Sequence, residues 1–114
     1  MDEIKLDTLL TRLGFERTAG RKYIHEAMML EPKGPTSITE LYRIIGEKHQ
    51  VSPGVVSGAI QRAIRQAYTQ PVTAWMRQYF CPSTLPARPP KNKMFLRRLG
   101  MIMELVERGG KSNA

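Results

Sequence analysis

The 114-residue chain has no acidic residue between Glu47 and Glu104. It has one cysteine, Cys81, which excludes an internal disulfide. No apolar run approaches the roughly 18 residues needed to cross a bilayer. The start, Met1-Asp2-Glu3, is acidic and lacks the basic, then apolar, pattern of an export signal. These absences together predict a reducing, cytoplasmic setting. The two histidines, His25 and His49, have no metal-ligand spacing with each other or with Cys81. No glycine-rich loop of the phosphate-cradling kind is present. The expectation is a protein that is not an enzyme and carries no cofactor or metal.

The charge that is present is one-sided. Residues 1–50 carry eight Lys/Arg and eight Asp/Glu, whereas residues 51–114 carry ten Lys/Arg and only Glu104 and Glu107. The whole net charge of +8 therefore falls on the second half. Phosphate polymers reward such a surface, because each neutralised phosphate releases counterion. A basic face that serves solubility alone fits the same count.

Hydrophobic periodicity predicts an all-α fold, a single domain of six helices with no strand. The first helix spans about 3–13, with Ile4, Leu6, Leu9, Leu10 and Leu13 on an apolar stripe and Gly14 after its end. The second spans about 18–30, with Tyr23, Ile24, Ala27, Met28 and Leu30 apolar. It stops at Glu31-Pro32-Lys33-Gly34-Pro35. Ser37-Ile38-Thr39-Glu40 fits a reciprocal capping box for the third helix, which turns Leu41, Ile44 and Ile45 inward and ends near His49. Ser52-Pro53 opens the fourth, with serine as N-cap and proline at the first helical position. A short fifth helix over about 72–80 carries Val72, Trp75, Met76 and Phe80. The proline-rich loop at about 81–91 follows. Asn92 is placed to cap the sixth helix, about 93–108, which Gly109-Gly110 should end before a frayed tail at about 109–114.

Residues 40–68 read as a helix-turn-helix. Gly46 lies inside the third helix, where glycine costs about 1 kcal/mol relative to alanine, so a close approach of backbones is expected there. Many such units have glycine in the turn; here Gln50 takes that place, which suits a turn that avoids positive φ. Any short helical hairpin shares these features, so the outward face of the fourth helix, about 53–68, carries the functional argument. Ser57, Gly58, Gln61, Arg62 and Arg65 lie on it, with no acid among them. Ser52, Gly54, Ser57 and Gly58 keep its first turns slim, as approach to base edges in a major groove requires. Gln61 has the chemistry to read adenine and Arg62 to read guanine. Arg62 and Arg65 also suit phosphate contact or a solvated face. Arg88, Lys91, Lys93, Arg97 and Arg98 are candidates to hold the DNA backbone, or are plain surface charge. Trp75, Tyr79 and Phe80 beside Met76 read as core rather than as a platform for single-stranded bases. The seven methionines read as gap fillers, with a dimer contact left open.

Four stretches carry a family resemblance. They are Gly20-Arg21-Lys22-Tyr23-Ile24-His25-Glu26-Ala27, Ser37-Ile38-Thr39-Glu40-Leu41-Tyr42, Ala59-Ile60-Gln61-Arg62-Ala63-Ile64-Arg65-Gln66-Ala67-Tyr68 and Pro90-Lys91-Asn92-Lys93-Met94-Phe95-Leu96. In this order and spacing the chain resembles the C-terminal DNA-binding domain of the master sporulation response regulator of endospore-forming bacteria. The resemblance implies a six-helix domain, double-stranded DNA as partner, short operators bound by copies in tandem (hence a homodimer on such sites) and a role in bacterial transcription. It departs from the family where the reading helix begins. Val55, Ser57 and Gly58 are uncharged where the family has alternating bases and acids, Gln61 replaces an arginine and Arg62 a histidine. A kept scaffold with a rewritten reading surface implies a different operator or weak specificity. The family's receiver domain does not accompany the sequence, which implies an excised domain or a standalone protein without that control. The competing expectation is a protein-interaction module that pairs with a full-length regulator and antagonises it.

Overall fold

The structure, a computed structural model, describes residues 1–69, 71–80 and 88–112. Cys81 and the rest of the proline-rich stretch through residue 87, and tail residues 113–114, lie outside the described residues. Among the described residues the chain forms six helices and no strand: α1 (Glu3–Arg12), α2 (Ala19–Leu30), α3 (Ile38–His49), α4 (Pro53–Ala67), α5 (Ala74–Tyr79) and α6 (Asn92–Ser112).

Short polar residues set most of the starts. The side chains of Asp2, Thr18, Ser37, Ser52 and Thr73 each accept a backbone N–H from the first turn of the helix that follows. Ser37 makes only half of the expected box: its Oγ accepts from the Glu40 N–H at 3.2 Å, while the Glu40 carboxylate turns to Arg43. At the other end of the chain, α6 runs on through Gly109 and Gly110 to Ser112 instead of stopping at the glycine pair. Glycine is a weak helix former but not a stop by itself. It ends a helix when the chain turns left-handed there, and here both glycines stay within the helix.

α4 lies at the centre, packed chiefly on α2 and α3 and also on α6. Its inner face, Val56, Ala59, Ile60, Ala63, Ile64 and Ala67, is buried throughout. The small residues on that face let α2 come close. A Cβ on Gly20 of α2 would fall 2.7 Å from the Ala63 Cβ and inside contact distance of the Ala59 carbonyl, so no larger residue fits. Leu6, Leu9 and Leu10 of α1, Leu13 just after it, and Phe95, Leu96, Leu99 and Met103 of α6 close the core. Phe95 meets Phe15 edge-on at 5.6 Å and stacks on Phe80 at 4.7 Å.

Three apolar residues expected inside are exposed, Ile4, Leu30 and Ile44, and so is Met101 among the methionines read as gap fillers. At about 100° per residue, Ile4 lies on the far side of α1 from the Leu6–Leu13 stripe, and Ile44 falls beside the arc centred on Ile45. Met29 and Met94 are also at the surface, whereas Met28, Met76 and Met103 fill the core. Phe80 is buried, and Trp75 and Tyr79 pack half-buried beside the core, 5.5 Å apart.

One buried charge ties the first two helices together. Arg21 is 6% exposed. Its guanidinium donates to the Phe15 carbonyl at 2.7 Å, the Asp7 carbonyl at 3.0 Å, and Asp7 Oδ1 and Thr11 Oγ1 at 2.8 Å each. A guanidinium with its donors so engaged can be buried at little net loss.

Candidate nucleic-acid interface

The connection between α3 and α4 is three residues long, Gln50, Val51 and Ser52. Gln50 has φ 57° and ψ 43°, in the left-handed region, so the turn does not avoid positive φ. Two hydrogen bonds explain why the chain accepts this. The Gln50 N–H donates to the Glu47 carbonyl at 3.3 Å and the Val51 N–H to the Gly46 carbonyl at 2.9 Å. This is the paired closure of a helix end that glycine usually supplies at the left-handed position. The turned chain then folds back over Gly46, where a Cβ would lie 2.6 Å from the Val51 oxygen. The expected close approach at Gly46 is therefore made with the turn itself.

The end of α3 is held from the other side by Glu26 of α2. Its carboxylate accepts from His49 at 2.6 Å and pairs with Lys48 at 2.9 Å. Burial alone would raise the Glu26 carboxyl; the hydrogen bonds from Lys48 and His49 outweigh it and hold it below its ordinary value.

α4 starts at Ser52, whose Oγ accepts from the Val55 N–H at 3.2 Å. Ser52 is exposed, Ser57 and Gly58 are half-buried, and Gln61, Arg62 and Arg65 are exposed. At about 100° per residue, positions 57, 58, 61, 62 and 65 fall within roughly 140° of helix surface. They form one face, opposite the buried one. The Arg62 guanidinium folds back to cover Gly58, coming within 3.2 Å of where a Cβ would stand. Among the described residues neither Arg62 nor Arg65 has a carboxylate partner, whereas Arg43 on α3 is clasped by Glu40 and Glu47.

Asn92 does not cap α6 with its side chain. It is buried, and its Nδ2 donates to the Tyr42 hydroxyl at 2.9 Å and to the Ser57 carbonyl at 3.1 Å. The start of α6 is thereby tied to α3 and to the first half of α4. Lys91, exposed, and Lys93, half-buried, flank this tie. The other basic candidates do not gather there. Arg88 lines a groove beside α5 and α6. Arg97 reaches the Pro35 carbonyl at 3.4 Å, and Arg98 donates to the Tyr79 carbonyl at 2.9 Å with its guanidinium 5.7 Å from the Phe80 ring.

The outward face of α4 thus brings together Ser57, Gly58, Gln61, Arg62 and Arg65, with Ser52 at the helix start and Lys91 and Lys93 beside the Asn92 tie. The tie of Asn92 to Tyr42 and Ser57 is what the sequence does not reveal. Nothing local relates positions 42, 57 and 92. No helix among the described residues is long and apolar enough to cross a membrane. No protein-family model, curated protein or solved structure matches the chain.

Proposed function

We propose that the protein is a sequence-selective regulator of transcription that binds double-stranded DNA in the cytoplasm, without catalysis. In this reading α3, the Gln50–Ser52 turn and α4 act as a helix-turn-helix, and α4 enters the major groove. The observation that carries it is the outward face of α4, where Gln61, Arg62 and Arg65 stand exposed together with no carboxylate partner among the described residues. Arginine without an internal partner keeps its fork of donors for guanine or phosphate, and glutamine can pair with adenine. Gly54, Ser57 and Gly58 let the first turns of the helix approach base edges. Lys91 and Lys93 serve as phosphate contacts that fix register. The likeness to the sporulation regulator's effector domain supports the same reading and adds tandem sites occupied by two copies.

The test is selection of bound sequences from a random duplex pool, followed by titration of the winner and of random duplex at two salt concentrations. A preferred sequence bound more tightly than random duplex, with affinity that falls steeply as salt rises, is the expected result. No affinity for either duplex at low salt would sink the reading. That outcome would favour the second reading, an antagonist that pairs with a full-length regulator. One observation favours that rival: Val55, in the first turn of α4, is exposed and apolar, and neither Ser57 nor Gly58 carries charge.

A further inference from the structure

α6 is apolar on two sides. Its inner face carries Phe95, Leu96, Leu99, Ile102 and Met103, all buried. On the opposite side Met94 is 62% exposed, Met101 66% and Leu105 58%. Their spacing places them in a row only about 40° wide. A surface helix ordinarily turns polar residues outward, so a second apolar row marks a surface that something covers.

The row borders a groove of about 670 Å³ that Tyr79, Phe80 and Pro90 also line. Among the described residues its charged lining is Arg88, Arg97 and Arg98, with no acidic residue. Arg97 and Arg98 are held in place by the Pro35 and Tyr79 carbonyls through one Nε–H each. The remaining donors of each fork stay available to a carboxylate. No residue between Ser52 and Arg65 lines the groove, so it is separate from the outward face of α4.

We infer that this groove docks an acidic amphipathic helix from a partner protein. Leucine- or phenylalanine-type side chains would cover the Met94–Met101–Leu105 row, and glutamates or aspartates would meet Arg88, Arg97 and Arg98. Charge complementarity decides between occupants. A second copy laid symmetrically on the same row would set the three arginines against their own counterparts. Duplex DNA gains nothing from an apolar row between cations. A groove rather than a flat face suits a helix laid lengthwise.

The probe is a hydrocarbon-stapled helical peptide with leucines on one face and glutamates on the other, titrated against the full chain by fluorescence anisotropy. A matched peptide with lysine for each glutamate is the control. Binding of the glutamate peptide is expected, with loss of at least about tenfold in affinity for the lysine peptide and in the Met101→Ser and Arg97→Glu variants. Both positions are exposed, and circular dichroism and thermal unfolding establish that each variant keeps its fold. Equal binding of the two peptides, or no binding of either, overturns the inference. So does a dimer that Met101→Ser dissolves in light scattering, which would make a second copy the occupant. Flotation of the chain with anionic phosphatidylserine vesicles that Met101→Ser abolishes, without peptide binding, overturns it in favour of a lipid surface.

Discussion

The side-chain amide of Asn92 donates to the main-chain oxygen of Ser57, 3.1 Å away across 35 positions of sequence. The same nitrogen reaches the Tyr42 hydroxyl at 2.9 Å. Three helices meet at one buried group. Asn92→Ala is expected to lower unfolding free energy by about 1–2 kcal/mol, since it leaves the Ser57 oxygen and the Tyr42 hydroxyl without this donor. Asn92→Asp should cost more, because an acceptor would then face a carbonyl oxygen. Urea unfolding followed by circular dichroism measures both.

On the outward face of α4 and at its flank, different losses are expected from different residues. Arg62→Ala should weaken binding to the selected duplex by about 1–3 kcal/mol and relax preference at one base pair. Lys91→Ala should weaken binding to all duplexes alike and lower the salt slope by about 1. Titrations on selected and random duplex over a salt series separate the two. Identical losses from both variants would remove Arg62 from base reading.

The left-handed Gln50 gives a pair of opposed expectations. Gln50→Gly should raise stability by about 1 kcal/mol, because glycine adopts that conformation without the Cβ clash. Gly46→Ala should lower it by about 1–3 kcal/mol, because the added methyl meets the Val51 oxygen, a backbone atom that cannot swing aside. Thermal unfolding of the two variants against the parent reads both signs.

Much of the fold is legible in the sequence, and the reasons differ by element. The caps at Ser37 and Ser52, the breaks around Pro32 and Pro35, and the buried face of α4 all depend on neighbours within one or two turns. Periodicity and capping chemistry report such local facts directly. The conformation of Gln50 was not legible, since glutamine carries no mark of positive φ and the two closing hydrogen bonds belong to the finished turn. Ile44 was misplaced because its neighbour Ile45 takes the core position and pattern alone does not rank the two. For the candidate site, the outward residues of α4 follow from helical spacing once the inner face is known. The parting of Arg88 from Lys91 and Lys93 does not, because it depends on where α5 and α6 pack. Asn92 has the sequence of a cap for the same reason: its partners lie on other helices.

Acid should loosen the end of α3. The Glu26 carboxyl is lowered in the folded protein, so its pairing with Lys48 and His49 stabilises the fold fully above the ordinary value of 4.5. That contribution disappears as pH falls through the lowered value. Melting temperature measured from about pH 6 down to pH 3 should drop, and the drop should be shallower in Glu26→Gln. Asp7 and Glu40 are lowered as well, by Arg21 and Arg43 respectively, so the Gln variant flattens the acid limb without levelling it.

Removing the buried guanidinium should be among the harshest single changes. Arg21→Met keeps the aliphatic stem but strands the Phe15 carbonyl, so a loss of about 3 kcal/mol is expected, read by denaturant midpoint.

Gly20 presses its bare backbone against the Ala59–Ala63 step of α4. A helix seated on another backbone has no cushion of side chains through which to tilt or roll. α4 is thus bolted to the body, and its direction is decided beneath it rather than by what it displays. Residues 57, 58, 61, 62 and 65 can be exchanged like type in a fixed frame. In the proposed reading, a new target would need only new letters, not a new press.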